Sequence, residues 1–278
     1  MRELIQLPQQ STRPNPGAGR GETAFTLPEM LACVFVMGLA IVFIAPGIWK
    51  AYEHSSLAIA AANIRQLSAG GAQYLAENNY RYWKFRENGA TSIDASGNPV
   101  VGTRYWFGYE SNGSASSGEG KRSFDASQGP LAGYVPKGIH PDPSFATHAS
   151  AFKPKFKCGY LGIGYNVVLG GGWSPGPKTK TMSYWQLSDP GKVVVFTTCA
   201  QVNNFQSPAS TSHPMLEEFY GIDQNEKTVH FRAGKVAMVG FADGSASFLP
   251  MDESTRDNRI KGVDIGRFAP VGSFKYLK

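Results

Sequence analysis

Glu29 stands one residue before a stretch, 30–49, that carries no charge. A carboxylate beside so apolar a run is costly unless it is paired, which makes it a functional candidate. At the first turn of a helix the dipole favours it as well. The other residues whose types could do chemistry are weaker. Gly172-Trp173-Ser174-Pro175-Gly176 fits the G-x-S-x-G pattern of an esterase nucleophile turn. The oxyanion hole of that turn needs the backbone N–H after the serine, and Pro175 has none, so a surface loop is expected. His54, His140, His148, His213 and His230 show no i, i+4 pairing, and no Cys/His zinc spacing occurs. Asp223, Asn225 and Glu226, with Glu217 and Glu218 upstream, offer oxygen atoms but no complete calcium set, and read as a solvated loop. Of three cysteines, Cys33 falls inside the apolar run. Export of the body would allow Cys158 and Cys199 to pair, closing a loop of about 40 residues. No catalytic residue, cofactor or metal ligand is expected.

The elements around Glu29 are plainer. The uncharged run is about 20 residues, long enough as a helix to cross a bilayer core of about 30 Å. It is too long for the core of a secretory signal peptide. Arg2, Arg13 and Arg20 precede it and favour an N-terminus held in the cytoplasm. Beyond Pro46, the spacing of Leu57, Ala61, Ile64, Leu67, Gly71 and Tyr74 or Leu75 predicts a helix to around Asn78. Pro46 removes one backbone bond and predicts a bend. Gly70-Gly71 costs about 1 kcal/mol per glycine and predicts a kink or an early end.

The body is a different kind of sequence. With 32 Gly and 18 Pro in the chain, turns and short strands are expected rather than a bundle. Residues 110–120 read as a flexible loop. Tyr105-Trp106-Phe107 and Gly133-Tyr134-Val135 read as apolar clusters packing on helix or sheet, 158–172 as a Gly-spaced strand or turn segment, and 192–196 as a buried strand. The clearest hairpin is 236–241 and 245–249 around Ala242-Asp243-Gly244, because Asp and Gly both tolerate positive φ. A net charge of +6 is spread singly, with Lys178-Thr179-Lys180 and Lys121-Arg122 the closest groupings, so no nucleic-acid partner is expected.

Ala24-Phe25-Thr26-Leu27-Pro28-Glu29 resembles the processing motif of the type IV pilin and pseudopilin class: a small residue, then Phe-Thr-Leu, then Glu as fifth residue of the mature chain. Gly38 and Pro46 fall where that class commonly has a Gly and a Pro in its anchor helix. Ala24 stands where Gly is preferred, and Pro28 where an aliphatic is common. Ala62-Asn63-Ile64-Arg65-Gln66-Leu67 and the hairpin Phe241-Ala242-Asp243-Gly244 resemble a large pseudopilin-like family of planctomycetes and verrucomicrobia. Its members often carry a His, then nine further residues, then Asp-Gly, with Gly-rich surroundings that Gly234 echoes; Ala233 occupies the His position here.

The resemblance implies a prepilin peptidase that cuts between Ala24 and Phe25 and methylates the new Phe25 amine. It implies pairing of Glu29 with the amine of a neighbouring subunit, setting register in a filament of pilin-like subunits. The implied fold is α+β: a leader over 1–24, a membrane-spanning half-helix over 25–49, an extramembrane half over 50–80, and a pilin-like body over 81–278 built on a small antiparallel sheet. The implied place is the inner membrane, single-pass, with the body in the periplasm or outside the cell. The rival expectation is an anchored cell-envelope module that binds glycan or protein and forms no filament.

Overall fold

The computed structural model describes residues 26–94, 96–135, 145, 151–157, 162–232 and 235–269. They fall into two compact units that divide between Ile48 and Trp49. One helix, α1 (Leu27–Glu77), supplies residues to both. In the first unit its stretch Leu27–Ala45 has a mean hydropathy of 2.4 and no buried residue. It is the one helix among the described residues long and apolar enough to cross a membrane. Leu31, Phe35, Ile41 and Phe43 are exposed around it. A helix apolar on every side has no face that its own chain must cover.

In the second unit the same helix is one-sided. Ala60, Ala61, Ile64, Leu67 and Leu75 are buried, while Arg65, Ala69, Gln73 and Ala76 are exposed. The glycine pair neither ends nor breaks α1, whose span runs through Gly70, Gly71 and Pro46. A Cβ on Gly70 would lie 2.6 Å from Val135 Cγ2 and 3.0 Å from the Tyr134 carbonyl oxygen; one on Gly71 would lie 3.0 Å from the ring of Trp83. The helix uses its glycines for close approach, and the packing gained offsets their poor propensity.

Among the described residues the body carries three sheets. The largest has seven strands in the order β10-β13-β12-β11-β6-β5-β9. Its members are β5 (Ile163–Asn166), β6 (Val194–Thr198), β9 (Gly221–Ile222), β10 (Val229–His230), β11 (Val236–Phe241), β12 (Ala246–Asp252) and β13 (Ile265–Phe268). All pairs are antiparallel except β5 with β9. The sheet curls back on itself: Val229 in β10 bridges to Cys199 just after β6. The Ala200 N–H donates to Thr228 O at 2.9 Å, and the Thr198 hydroxyl to His230 O at 2.8 Å. Along β11, Ala237 and Val239 join the core shared by these strands, while Met238 points to the core under α1 with Phe196 and Trp83. That alternation is the two-residue period of a strand with apolar material on both faces. β1 (Arg86–Ile93), β2 (Pro99–Tyr105) and β3 (Gly108–Ser111) form a second sheet. The third consists of β4 (Phe152–Lys153), β7 (Ala200–Asn203) and β8 (Met215–Glu218).

The α+β class agrees with expectation, but the body is larger than a small antiparallel sheet. Strands of two residues, and strands that bury Asn203, Glu217 and Glu218 beside their apolar residues, give no apolar alternation to read. Residues 110–120 also differ from the flexible loop expected. Glu110 is buried and accepts both arms of the Arg122 guanidinium, at 2.8 and 2.7 Å. Ser111 then caps the short helix α2 (Asn112–Ala115), accepting from the Ser114 N–H at 3.1 Å. The buried strand expected over 192–196 begins later, at Val194, after a turn over Pro190–Lys192.

Candidate functional site

Thr26 and Glu29 define the start of α1. The Thr26 N–H and hydroxyl both donate to Glu29 Oε2, each at 2.8 Å. This is one arm of a capping box, in which the third helical residue reaches back to satisfy the cap. Glu29 is exposed. Ala24 and Phe25 lie outside the described residues. Gly38 has nothing within 4 Å of the Cβ it lacks.

The Asp-Gly hairpin is where expected. The Gly244 N–H donates to Phe241 O at 3.0 Å with Gly244 at φ +86°, and Asp243 Oδ1 accepts from Ser245 N and Oγ at 2.8 and 2.6 Å. Asp243 spends that oxygen inside its own turn. The Ala242 N–H donates to Val193 O at 2.9 Å and docks the turn on the strand entry before β6. Gly234, like Ala233, lies outside the described residues. A cavity of about 240 Å³ opens between this turn and α1, lined by Ser68, Gly71, Tyr82, Trp83, Phe196 and Asp243 among others.

The Tyr82–Trp83 wall also lines a larger cleft, of about 610 Å³. The chain makes that wall by leaving α1 through Asn79 and Tyr80, both at positive φ (52° and 55°), with the Tyr80 N–H donating to Leu75 O at 2.8 Å. Residues 80–82 then run beside 182–184: Tyr184 N–H donates to Tyr80 O at 2.8 Å and Tyr82 N–H to Met182 O at 3.0 Å. Among the described residues the cleft holds four cations, Arg81, Lys84, Arg104 and Lys180, against the single carboxylate of Glu87. Glu87 takes Arg104 at 3.0 Å and Lys84 at 3.6 Å, and Arg81 donates to Thr181 O at 3.0 Å. Tyr82 Oη and Trp83 Nε1 are buried without a hydrogen-bond partner among the described residues. Burial, helped by Tyr184, pushes the Tyr82 hydroxyl well up, so it is a neutral donor at neutral pH.

The oxygen-rich stretch resolves into structural roles. Glu217 and Glu218 are not in a solvated loop but buried in β8. Glu218 accepts from the N–H groups of Lys155 and Phe156, each at 2.7 Å. Glu217 faces Lys153 at 3.3 Å and Lys155 at 3.6 Å, and accepts from Asn203 at 2.9 Å and from Gln201. Burial pushes the Glu217 carboxyl up, but Lys155, the amides of Asn203 and Gln201, and then Lys153 outweigh it and hold the group below its ordinary value. Asp223 accepts from Trp173 Nε1 and from the Asn225 and Glu226 N–H groups, at 2.7, 2.7 and 2.8 Å. Among the described residues no three His, Cys, Asp or Glu groups gather as metal ligands.

Ser174 accepts from the Arg86 guanidinium, beside a buried Pro175. His230 lies buried in β10, where its Nδ1 receives Arg232 Nε at 3.1 Å. Cys199 is a free, buried thiol donating to Gly221 O at 3.4 Å, and burial raises it to about 12. Its expected partner, Cys158, lies outside the described residues.

Sequence reasoning missed the cleft. Its cations come from the segment that follows α1, from β2 and from the 177–181 segment, and no local spacing ties them together. No family model matches this chain, and it has no significant match among curated proteins or solved structures.

Proposed function

We propose that this chain is a membrane-anchored structural subunit of the pilin and pseudopilin type. The observation that carries the reading is the first part of α1: apolar and exposed on all sides, with one carboxylate, Glu29, at its first turn. Such a surface is covered either by lipid or by other helices of the same kind. Cleavage between Ala24 and Phe25 by a prepilin peptidase would leave the Phe25 amine four residues from Glu29. The bonds from Thr26 keep the carboxylate satisfied in the single subunit. A neighbour's Phe25 ammonium would replace them on assembly, so that neither charge enters the apolar filament core unpaired. Leader arginines hold the N-terminus in the cytoplasm and the body on the far side of the inner membrane. In this reading the body is an assembly module with no catalytic role.

Mass spectrometry of the mature N-terminus tests the processing step: an N-methylated Phe25 is expected, and a chain that starts at Met1 overturns it. Glu29→Ala tests assembly. The variant is expected to keep its cleavage and its body melting temperature and to drop out of filaments; full incorporation would sink the filament reading.

A further inference from the structure

The cleft at the end of α1 has chemistry that assembly through α1 does not use. Its walls are rich in donors and poor in acceptors. Arg81 and Lys180 have no carboxylate partner among the described residues, and Lys84 and Arg104 share one. Asn78, Thr179 and Thr181 add polar side chains to the lining. The volume, about 610 Å³, lies within the range of small-ligand sites, roughly 300–1,000 Å³.

We propose that this cleft binds an acidic saccharide, its carboxylates or sulfates held by Arg81, Lys180 and Arg104 and its hydroxyls by polar side chains of the lining such as Asn78 and Thr181. A sugar acid offers many acceptors and negative charge in a compact frame, the complement of this lining. The half-buried ring of Tyr74, edge-on to Trp83 at 5.3 Å, gives an apolar wall for a sugar face. Single-stranded nucleic acid fits less well. It needs aromatic faces for base stacking, and here Trp83 is already stacked on Tyr165 and Phe196, at 5.0 and 5.8 Å. The cations also ring a bounded cleft instead of tracking a phosphate backbone. The site goes beyond assembly and is expected in the free subunit and the filament alike.

The test uses the full chain in detergent micelles, read by calorimetry and by tryptophan fluorescence. The probes are trigalacturonate, a heparin-derived tetrasaccharide, neutral maltotriose, inorganic phosphate, hexaglutamate and oligo-dT. One or both acidic saccharides are expected to bind, more weakly as salt rises. Arg81→Gln with Lys180→Gln should cost about tenfold or more in affinity, at an unchanged melting temperature because both side chains are exposed. Glu87→Gln should tighten binding by removing the competing carboxylate. Lys235→Gln, at an exposed cation outside the cleft lining, is the control and should change nothing. The proposal is overturned if neither acidic saccharide binds at millimolar concentration, or if the double variant binds as well as the parent. It is equally overturned if maltotriose, phosphate, hexaglutamate or oligo-dT binds as tightly as the acidic sugars.

Discussion

The two stretches of α1 on either side of Trp49 are made from similar residues and live by different rules. Between Leu27 and Ala45 no residue is buried, and glycine meets nothing. Between Ala60 and Leu75, large apolar positions are buried at helical spacing, and glycine is pressed against other chain segments. Composition alone therefore says little about what a helical residue does. In the function proposed above, an apolar residue in the first stretch contributes to partition into lipid or to contact with other helices, whereas one in the second contributes to the fold of the body. Substitutions matched across the boundary should separate the two contributions.

The largest contrast lies between the bare helix and the buried ion network of the body. The Lys153 and Glu217 side chains are 2% and 0% exposed. Lys153→Met leaves Glu217 with less compensation and should destabilise the body by about 3 kcal/mol, since breaking a buried pair costs roughly 3–5. Chemical denaturation followed by near-UV circular dichroism measures it, and retention of the chain in lipid vesicles should not change. The network also sets a pH dependence. The Glu217 carboxyl is held below its ordinary value of 4.5. The stability it contributes is present above that value and is lost as pH falls through the lower, folded one. Between about pH 5 and about pH 3 the body should weaken more steeply in the parent than in Glu217→Gln. Parallel slopes would remove Glu217 from the acid response.

A matched pair of truncations comes next. Ile64 is 0% exposed and Ile41 is 66% exposed. Ile64→Ala should cost the body about 2–4 kcal/mol through lost burial and the cavity left behind. Ile41→Ala should move its unfolding by no more than about 0.5 kcal/mol. Equal effects would mean that the boundary at Trp49 does not divide the energetics.

How far all this was legible follows from how local each signal is. The helix long and apolar enough to cross a membrane, the helix beyond it and the Asp243-Gly244 hairpin rest on contiguous residues, and the structure has all three. Gly70-Gly71 was misleading because propensity counts only the cost of a missing side chain; Val135 and Trp83, which use the space, lie elsewhere in the chain. Glu217 and Glu218 look like solvent ligands until Lys153 and Lys155, more than sixty residues away, are brought beside them. The cleft was hidden for the same reason, its cations being contributed by three distant segments. What sequence conveys poorly here is charge buried by long-range pairing, since nothing in a charged residue's own neighbourhood announces its partner.

The smallest effect makes the sharpest version of the comparison, because one substitution is made twice in the same helix. At Gly70 an added methyl meets Val135 Cγ2 at 2.6 Å and the Tyr134 carbonyl at 3.0 Å. Overpacking of that kind costs about 1–3 kcal/mol, against a gain of about 1 from replacing glycine in a helix. Gly70→Ala should therefore be destabilising by about 1 kcal/mol. At Gly38 the methyl meets nothing, and Gly38→Ala should leave the melting temperature of the body where it was. Small residues in membrane helices let neighbouring helices come close, so under the proposed filament function Gly38→Leu should also spare the body and yet weaken incorporation into filaments. A Gly38→Leu chain that assembles as well as the parent would leave the first stretch as lipid anchor alone, with no packing role for its glycine.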